Sequence, residues 1–232
     1  MDNEQKTGEN CWIVIAAYNE EKKISQVIEG LKAEHYNNII VVDDGSKDNT
    51  KTAAQKAGAM VLHHIINRGQ GAALKTGIDF ALQNNADIIV TFDADGQHQP
   101  EEIKNIIDPI KKGEYEAVLG SRFLEKKSNV SWHRELLLKA GAAMMKQLYG
   151  IHLTDSHNGF RAFTAQAANK LDLQADRMTH ASEILEQIAK KNIAYKEVPV
   201  TITYTDYSLE KGQSSTAAFS ILWSMIKSKL LR

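Results

Sequence analysis

"CWIVIAAYNEEKKISQVIEGLKAE", residues 11–34, divides into two parts that obey different periods. From Cys11 to Ala17 the chain is an unbroken apolar run without alternation, the pattern of a strand covered on both faces. Beyond it the composition turns polar, and Ile24, Val27, Ile28 and Leu31 recur at helical spacing. This predicts an amphipathic helix over "YNEEKKISQVIEGLKAE".

The same unit returns along the first half. "NIIVVDDGSKDNT" (38–50) predicts a second apolar strand ending in a polar turn, and "TKTAAQKAG" a short helix stopped by Gly58. "MVLHHI" (60–65), "DIIVTF" (87–92) and "EAVLGSR" (116–122) predict further strands. "GAALKTGIDFALQNN" (71–85) and a segment opened by Pro100 predict the helices between them. Alternation of this kind predicts an α/β fold, a mostly parallel central sheet flanked by helices. Ligands of such sheets lie beyond the C-terminal ends of the strands. The polar clusters fall at those ends: Tyr18–Glu20, Asp43–Asp44, Asn67–Gly71, Asp93–Gln97 and Ser121–Arg122.

The second half is less regular. "SWHRELLLKAGAAMMKQLYG" (131–150) and "HASEILEQIAKKN" (180–192) read as helices, and "DSHNGFRAF" (155–163) as a loop entering a short strand. "AYKEVPVTITY" (194–204) reads as a strand at the sheet edge, because Pro199 has no N–H to give a ladder. A final helix runs from about Thr216 to Arg232. With no internal repeat and no long linker, the 232 residues predict a single domain.

Composition excludes several classes. Lys and Arg total 28 against 29 Asp and Glu, and no basic stripe carries interleaved aromatics, so no nucleic-acid partner is expected. A lone cysteine, Cys11, cannot form an intramolecular disulfide or a thiolate zinc site. The polar N-terminus is not a signal peptide and no apolar run approaches membrane-spanning length. The expectation is a cytoplasmic protein, at most peripheral to a membrane.

The strand ends can be tested one by one. A dinucleotide site needs glycines straight after the first strand, but "AYNEE" stands there, and "GQGAALKTG" fails G-x-G-x-x-G because Leu74 fills the third position. Asp43 would point from a buried strand end into the crevice, to accept a bond from a base N–H or ribose hydroxyl or to close an Asx turn. Asp48 suits the cap of the following helix. "DADGQHQPEE" (93–102) places two carboxylates one residue apart. It lacks the spacing of a calcium loop but suits a hard cation, Mg²⁺ or Mn²⁺, held by Asp93 and Asp95 with diphosphate oxygens completing the sphere. Gln97 and His98 would add ligands or orienting bonds. Without a cation the pair repels, and at least one pKa rises.

The pieces "AYNEE", "VVDDGSKDNT", "NRGQGAALKTG", "DADGQHQPEE", "GSRF", "GFRAF", "SEILEQIAKKNIAYKEVPV" and "KGQSS" together resemble the family 2 glycosyltransferases of the GT-A fold. Within that family the chain is most similar to the dolichyl-phosphate mannose synthase and polyprenyl-phosphate glycosyltransferase branch. The resemblance implies inverting transfer of a sugar from a nucleotide diphosphate sugar to a polyprenyl phosphate, with Mg²⁺ or Mn²⁺. It implies that Ala17, Tyr18, Glu20, Asp43, Arg68 and Gly71 surround the nucleotide, and that Asp93, Asp95 and Gln97 hold the metal, with Gln97 preferred to His98. Arg122 and Arg134 would hold the acceptor phosphate, Glu183 would lie near the acceptor, and Arg161 would structure the pocket. Asp155 is either a base or an ordering residue, and ordering is preferred, since a phosphate oxygen needs little deprotonation.

On this view residues 10–125 form a nucleotide-sugar half, 126–215 an acceptor-side half and 216–232 an amphipathic helix. Phe219, Leu222, Trp223, Ile226 and Leu230 share one face of that helix, which would lie on a membrane surface or pack against the domain or the partner subunit of a homodimer. Two alternatives stand beside the main expectation. One is a family 2 enzyme acting on a hydroxyl of a glycan, lipid or protein, with Asp155 or Glu183 as base. The other is a non-catalytic nucleotide-sugar-binding protein.

Overall fold

The computed structural model describes residues 10–125, 132–174 and 180–203. "KGQSS" and the C-terminal helix expected over 216–232 lie outside the described residues.

Seven strands form one sheet in the order β3-β2-β1-β4-β6-β5-β7. They are β1 (Cys11–Ala17), β2 (Ile39–Asp43), β3 (Met60–His63), β4 (Ile88–Asp93), β5 (Ala117–Ser121), β6 (Arg161–Thr164) and β7 (Tyr195–Pro199). Helices α1 (Ile24–Ala33), α2 (Thr50–Lys56), α3 (Gln70–Gln83), α4 (Ile103–Lys111), α5 (Trp132–Tyr149), α6 (Ala165–Lys170) and α7 (His180–Lys190), with a 3-10 turn at Pro100–Glu102, complete the described elements.

The unbroken apolar run of β1 has a direct cause. Ile13 and Ile15 pack into one core layer with Ile24, Ile28 and Leu31 of α1 and Ile103 and Ile106 of α4. Trp12 and Val14 pack into the opposite layer with Leu74 and Ile78 of α3 and Ile184, Leu185 and Ile188 of α7. Successive side chains of a strand point to opposite faces, so two buried faces require apolar residues throughout. Each such side chain contributes about 1.5–3 kcal/mol. On the second face α3 sits tight on β1: a Cβ added at Gly77 would lie 2.3 Å from Val14 Cγ1.

Among the described strands β6 alone runs antiparallel to its neighbours, pairing Thr91 of β4 and Leu119 of β5 with Arg161. It therefore enters the sheet at the end where β4 and β5 leave it. That reversal carries the loop before β6 into the strand-end crevice. Pro199 does lie on an edge strand, since β7 is last in the order.

Two local expectations are corrected. The first helix begins at Ile24, not Tyr18. Asn19 adopts φ 54°, and the Asn19 and Glu20 N–H groups donate to Ser46 Oγ and Thr50 Oγ1 at 2.9 and 2.7 Å. These donors latch one strand-end turn to the next instead of starting a helix. The short α6 has no counterpart in the sequence reading; its signal is the Thr164 cap, whose hydroxyl accepts the Ala167 N–H at 3.0 Å.

Candidate functional site

The ends of β2 and β3 are joined by two acid–imidazole pairs. Asp43, at the end of β2, is buried; it accepts the Ser46 N–H at 3.2 Å and pairs with His63 Nδ1 at 2.9 Å. Asp44 is buried as well and holds the loop entering α3. Its carboxylate accepts the Arg68 N–H at 3.0 Å and the Gly69 N–H at 2.6 Å. It also pairs with His64 Nδ1 at 2.7 Å, and His64 Nε2 meets Thr76 Oγ1 at 3.0 Å. The fold thus brings the backbone of Arg68, and Gly71 in the first turn of α3, close behind Asp43–Asp44. Tyr18 is exposed just past β1, and Ala17 accepts the Asp44 N–H through its carbonyl at 2.8 Å.

Asp93 ends β4 and is clamped on three sides. His98 Nε2 lies 2.8 Å from Oδ2, and Gln70 Nε2 donates to Oδ1 at 3.2 Å. Beneath it lies Gly159, where a Cβ would stand 2.7 and 2.8 Å from the two carboxylate oxygens. Burial pushes the Asp93 carboxyl up, but the charge and hydrogen bond of His98, with His180 and Arg161 behind, hold it below the ordinary value. Asp95 differs. It accepts the Gln97 N–H at 3.0 Å, and burial followed by the charge of Asp93 pushes it up to about 6 against the opposing charge of His98. The pair is therefore divided into one carboxyl held down by His98 and one pushed up by burial and its neighbour.

Two strands away, about 10 Å at normal strand spacing, Arg122 follows β5. Its Nε donates to Asp155 Oδ2 at 2.6 Å and its Nη2 to the His157 carbonyl at 3.0 Å. Asp155 also accepts the His157 N–H at 3.2 Å. The loop is anchored from β7, where Glu197 accepts the Thr154 N–H at 2.8 Å and the Asp155 N–H at 3.1 Å. Burial raises the Glu197 carboxyl, outweighing these bonds. Burial also lowers His157 to about 4, with the charge of Arg161 second. Arg161 itself is buried, brought down to about 10 by desolvation, and donates through Nε to the Asn158 carbonyl at 2.9 Å.

The remaining candidates fall elsewhere. Glu183, in the first turn of α7, accepts the Gln174 N–H at 3.0 Å, which ties α7 to the segment before it. Arg134 lies in the first turn of α5. Gln70, Gly159 and Glu197 did not stand out in the sequence. Gly159 had a signal, in the glycine of "NGF" just ahead of a predicted strand; Glu197 had none beyond a lone charge in an apolar strand.

Among the described residues no three His, Cys, Asp or Glu side chains cluster as a metal cage. Asp93, Asp95 and Gln97 stand at alternate positions of one turn, oxygen donors of the kind a hard cation with open coordination positions takes.

A seven-stranded mixed sheet of this order is the GT-A fold. The glucosyl-3-phosphoglycerate synthase of Mycobacterium tuberculosis, solved with Mn²⁺ and UDP-glucose, shares this fold with a TM-score of 0.75, covering 97% of this chain and 79% of its own at 20% identity. The profile "Glycosyl transferase family 2" matches residues 12–172. An uncharacterised protein of Methanocaldococcus jannaschii is 40% identical, over 96% of this chain and 93% of its own. A UDP-N-acetylglucosamine–dolichyl-phosphate N-acetylglucosaminyltransferase of Methanococcus voltae is 36% identical, over 94% of this chain and 96% of its own. The chain belongs to glycosyltransferase family 2.

Proposed function

We propose that the chain transfers a sugar, with inversion, from a nucleotide diphosphate sugar to a polyprenyl phosphate, assisted by Mg²⁺ or Mn²⁺. The observation that carries this reading is the end of β4, where Asp95, pushed up by burial and by its neighbour, stands beside an Asp93 held by His98 and Gln70. The M. voltae relative, named for transfer to dolichyl phosphate, supports the acceptor class.

In this reading Asp93, Asp95 and Gln97 hold the cation, which neutralises charge growing on the leaving diphosphate. Asp43 receives the base or ribose. A carboxylate has about four acceptor sites, and His63 and Ser46 occupy two of them. Ala17, Tyr18, Glu20, Arg68 and Gly71 complete the donor wall. An acceptor phosphate oxygen attacks the anomeric carbon, and the bond to the diphosphate breaks with its electrons on the leaving group. Arg122 and Arg134 supply the acceptor cations, and Arg122 is preset by its bonds to Asp155 and His157. Asp155 orders Arg122; a phosphate that is already anionic needs no base. A water-borne donor and a lipid-borne acceptor meet at a membrane surface, which places the chain as a peripheral protein on the cytoplasmic face. No described helix is long and apolar enough to cross a membrane.

The test is transfer from a panel of UDP- and GDP-sugars to polyprenyl phosphates and to glycan hydroxyls, with Mn²⁺, Mg²⁺ or EDTA. Product on the lipid phosphate, lost with EDTA and in Asp95→Ala, is expected. Full activity of Asp95→Ala overturns the metal role, and product on hydroxyls alone overturns the acceptor.

A further inference from the structure

We propose that His98 is a positioning residue, kept in the core to aim Asp93 at the cation without touching the cation itself. This rests on the metal reading of the Asp93–Asp95 pair and adds to it a residue that sets the pair's geometry.

His98 is 5% exposed. Its ring packs edge-on against Phe92 of β4, with centroids 5.4 Å apart, and tilted against Phe160, at 5.0 Å. These two residues come from the two chain segments that meet at the site, the end of β4 and the loop entering β6. An apolar side chain would fill that cage equally well. The imidazole makes one hydrogen bond, from Nε2 to Asp93 Oδ2 at 2.8 Å, and Nδ1 has no partner among the described residues.

His64 supplies the contrast within the same molecule. It too is an imidazole facing an aspartate, but both its nitrogens are paired, with Asp44 and Thr76. That is how a histidine serves a fold. A buried polar atom without a partner costs stability, so the polarity of His98 works against the core around it. What it gains is one directed bond to one oxygen of Asp93.

In that bond Nε2 is the donor, because a carboxylate oxygen accepts. With Nε2 donating to Oδ2 and Gly159 closing the space beneath, the carboxylate cannot rotate freely about its Cβ–Cγ bond. Partners that orient a metal ligand in this way typically change affinity by about 10–100-fold when removed.

The test compares His98→Phe, His98→Asn and His98→Gln. The Gln amide nitrogen stands three bonds from Cβ, as Nε2 does, whereas the Asn nitrogen stands two bonds away, where Nδ1 is. Binding of Mn²⁺ is followed by electron paramagnetic resonance with saturating UDP or GDP in separate arms, and Tm is measured on the metal-free protein. His98→Phe and His98→Asn should weaken Mn²⁺ at least about tenfold, and His98→Gln should stay within about threefold of wild type. The Tm of His98→Phe should equal or exceed that of wild type. Wild-type Mn²⁺ affinity in His98→Phe, equal loss in the Gln and Asn variants, or a loss that tracks a collapsing Tm would each overturn the assignment. Asp95→Ala separates the two levels. If it binds Mn²⁺ normally, or wild type binds none in either arm, the metal reading itself falls. If Asp95→Ala loses Mn²⁺ while His98→Phe keeps it, only the role of His98 falls.

Discussion

Arg122 Nε lies 2.6 Å from Asp155 Oδ2, and both side chains are withdrawn from solvent. A buried pair of this kind contributes little net stability while intact, yet removing one partner strands the other's charge. Asp155→Ala should therefore cost about 3–5 kcal/mol in urea unfolding, and Asp155→Asn, which keeps an acceptor oxygen but strands the same charge, no more than that. Because Asp155 is read as ordering Arg122 and not as a base, Asp155→Asn should leave the shape of the pH–rate profile unchanged. Loss of the acidic limb, the fall in rate as a base becomes protonated, would make Asp155 the base after all.

Gly159 leaves no room for a side chain. A methyl group there would meet both oxygens of Asp93 below 3 Å, so either the loop or the carboxylate must move. Gly159→Ala should cost about 1–3 kcal/mol in Tm-derived stability and lower Mn²⁺ affinity in the same titration used for His98. Unchanged metal binding would mean that Asp93 tolerates displacement.

The raised Asp95 carboxyl sets a direction with pH. Its folded pKa of about 6 exceeds the ordinary 3.8, so the metal-free folded state holds more protons than the unfolded state between those values. Its contribution to stability is complete below about pH 4 and is lost as pH rises through 6, by at most about 3 kcal/mol. Asp95→Asn should flatten that part of the stability–pH curve relative to wild type. Mn²⁺ must displace the same proton, so its affinity in wild type should fall on acidifying below pH 6.

Asp44 anchors the entrance to α3 through the Arg68 and Gly69 amides. Asp44→Ala would orphan both donors, at about 1–3 kcal/mol each if they stay buried. Faster hydrogen exchange at these two amides, with slower changes at the end of β4, is the expected pattern; uniform loosening of the sheet would point to global destabilisation.

What could be foreseen followed from the range of the interactions. The unbroken run of β1 and the stripe of α1 are local patterns, and they place these elements on the right layers. Asp93 and Asp95 were visible because two carboxylates at a strand end are unusual in themselves. The reversal of β6 was not visible, since the short segment Arg161–Thr164 carries no directional mark and its pairing with Ile88–Thr91 is set by tertiary packing. The approach of Gly159 to Asp93 and the hold of Glu197 on Thr154 and Asp155 depend on that reversal or on β7 lying beside β5. The start of α1 was misplaced because Asn19 takes a left-handed φ of 54°, in a turn that Ser46 and Thr50 hold from the next strand end.

The reversed strand also shapes what kind of change this architecture tolerates. Leu119 and Arg161 face each other across β5 and β6, so the chain from 122 to 160 departs from the sheet and returns to it at adjoining places. Such an excursion behaves as a hairpin insert. Doubling its length would add only about 0.6 kcal/mol of closure entropy and would shift no other strand in register. The one part of the excursion that such lengthening must leave in place is its return, where Gly159 meets both oxygens of Asp93.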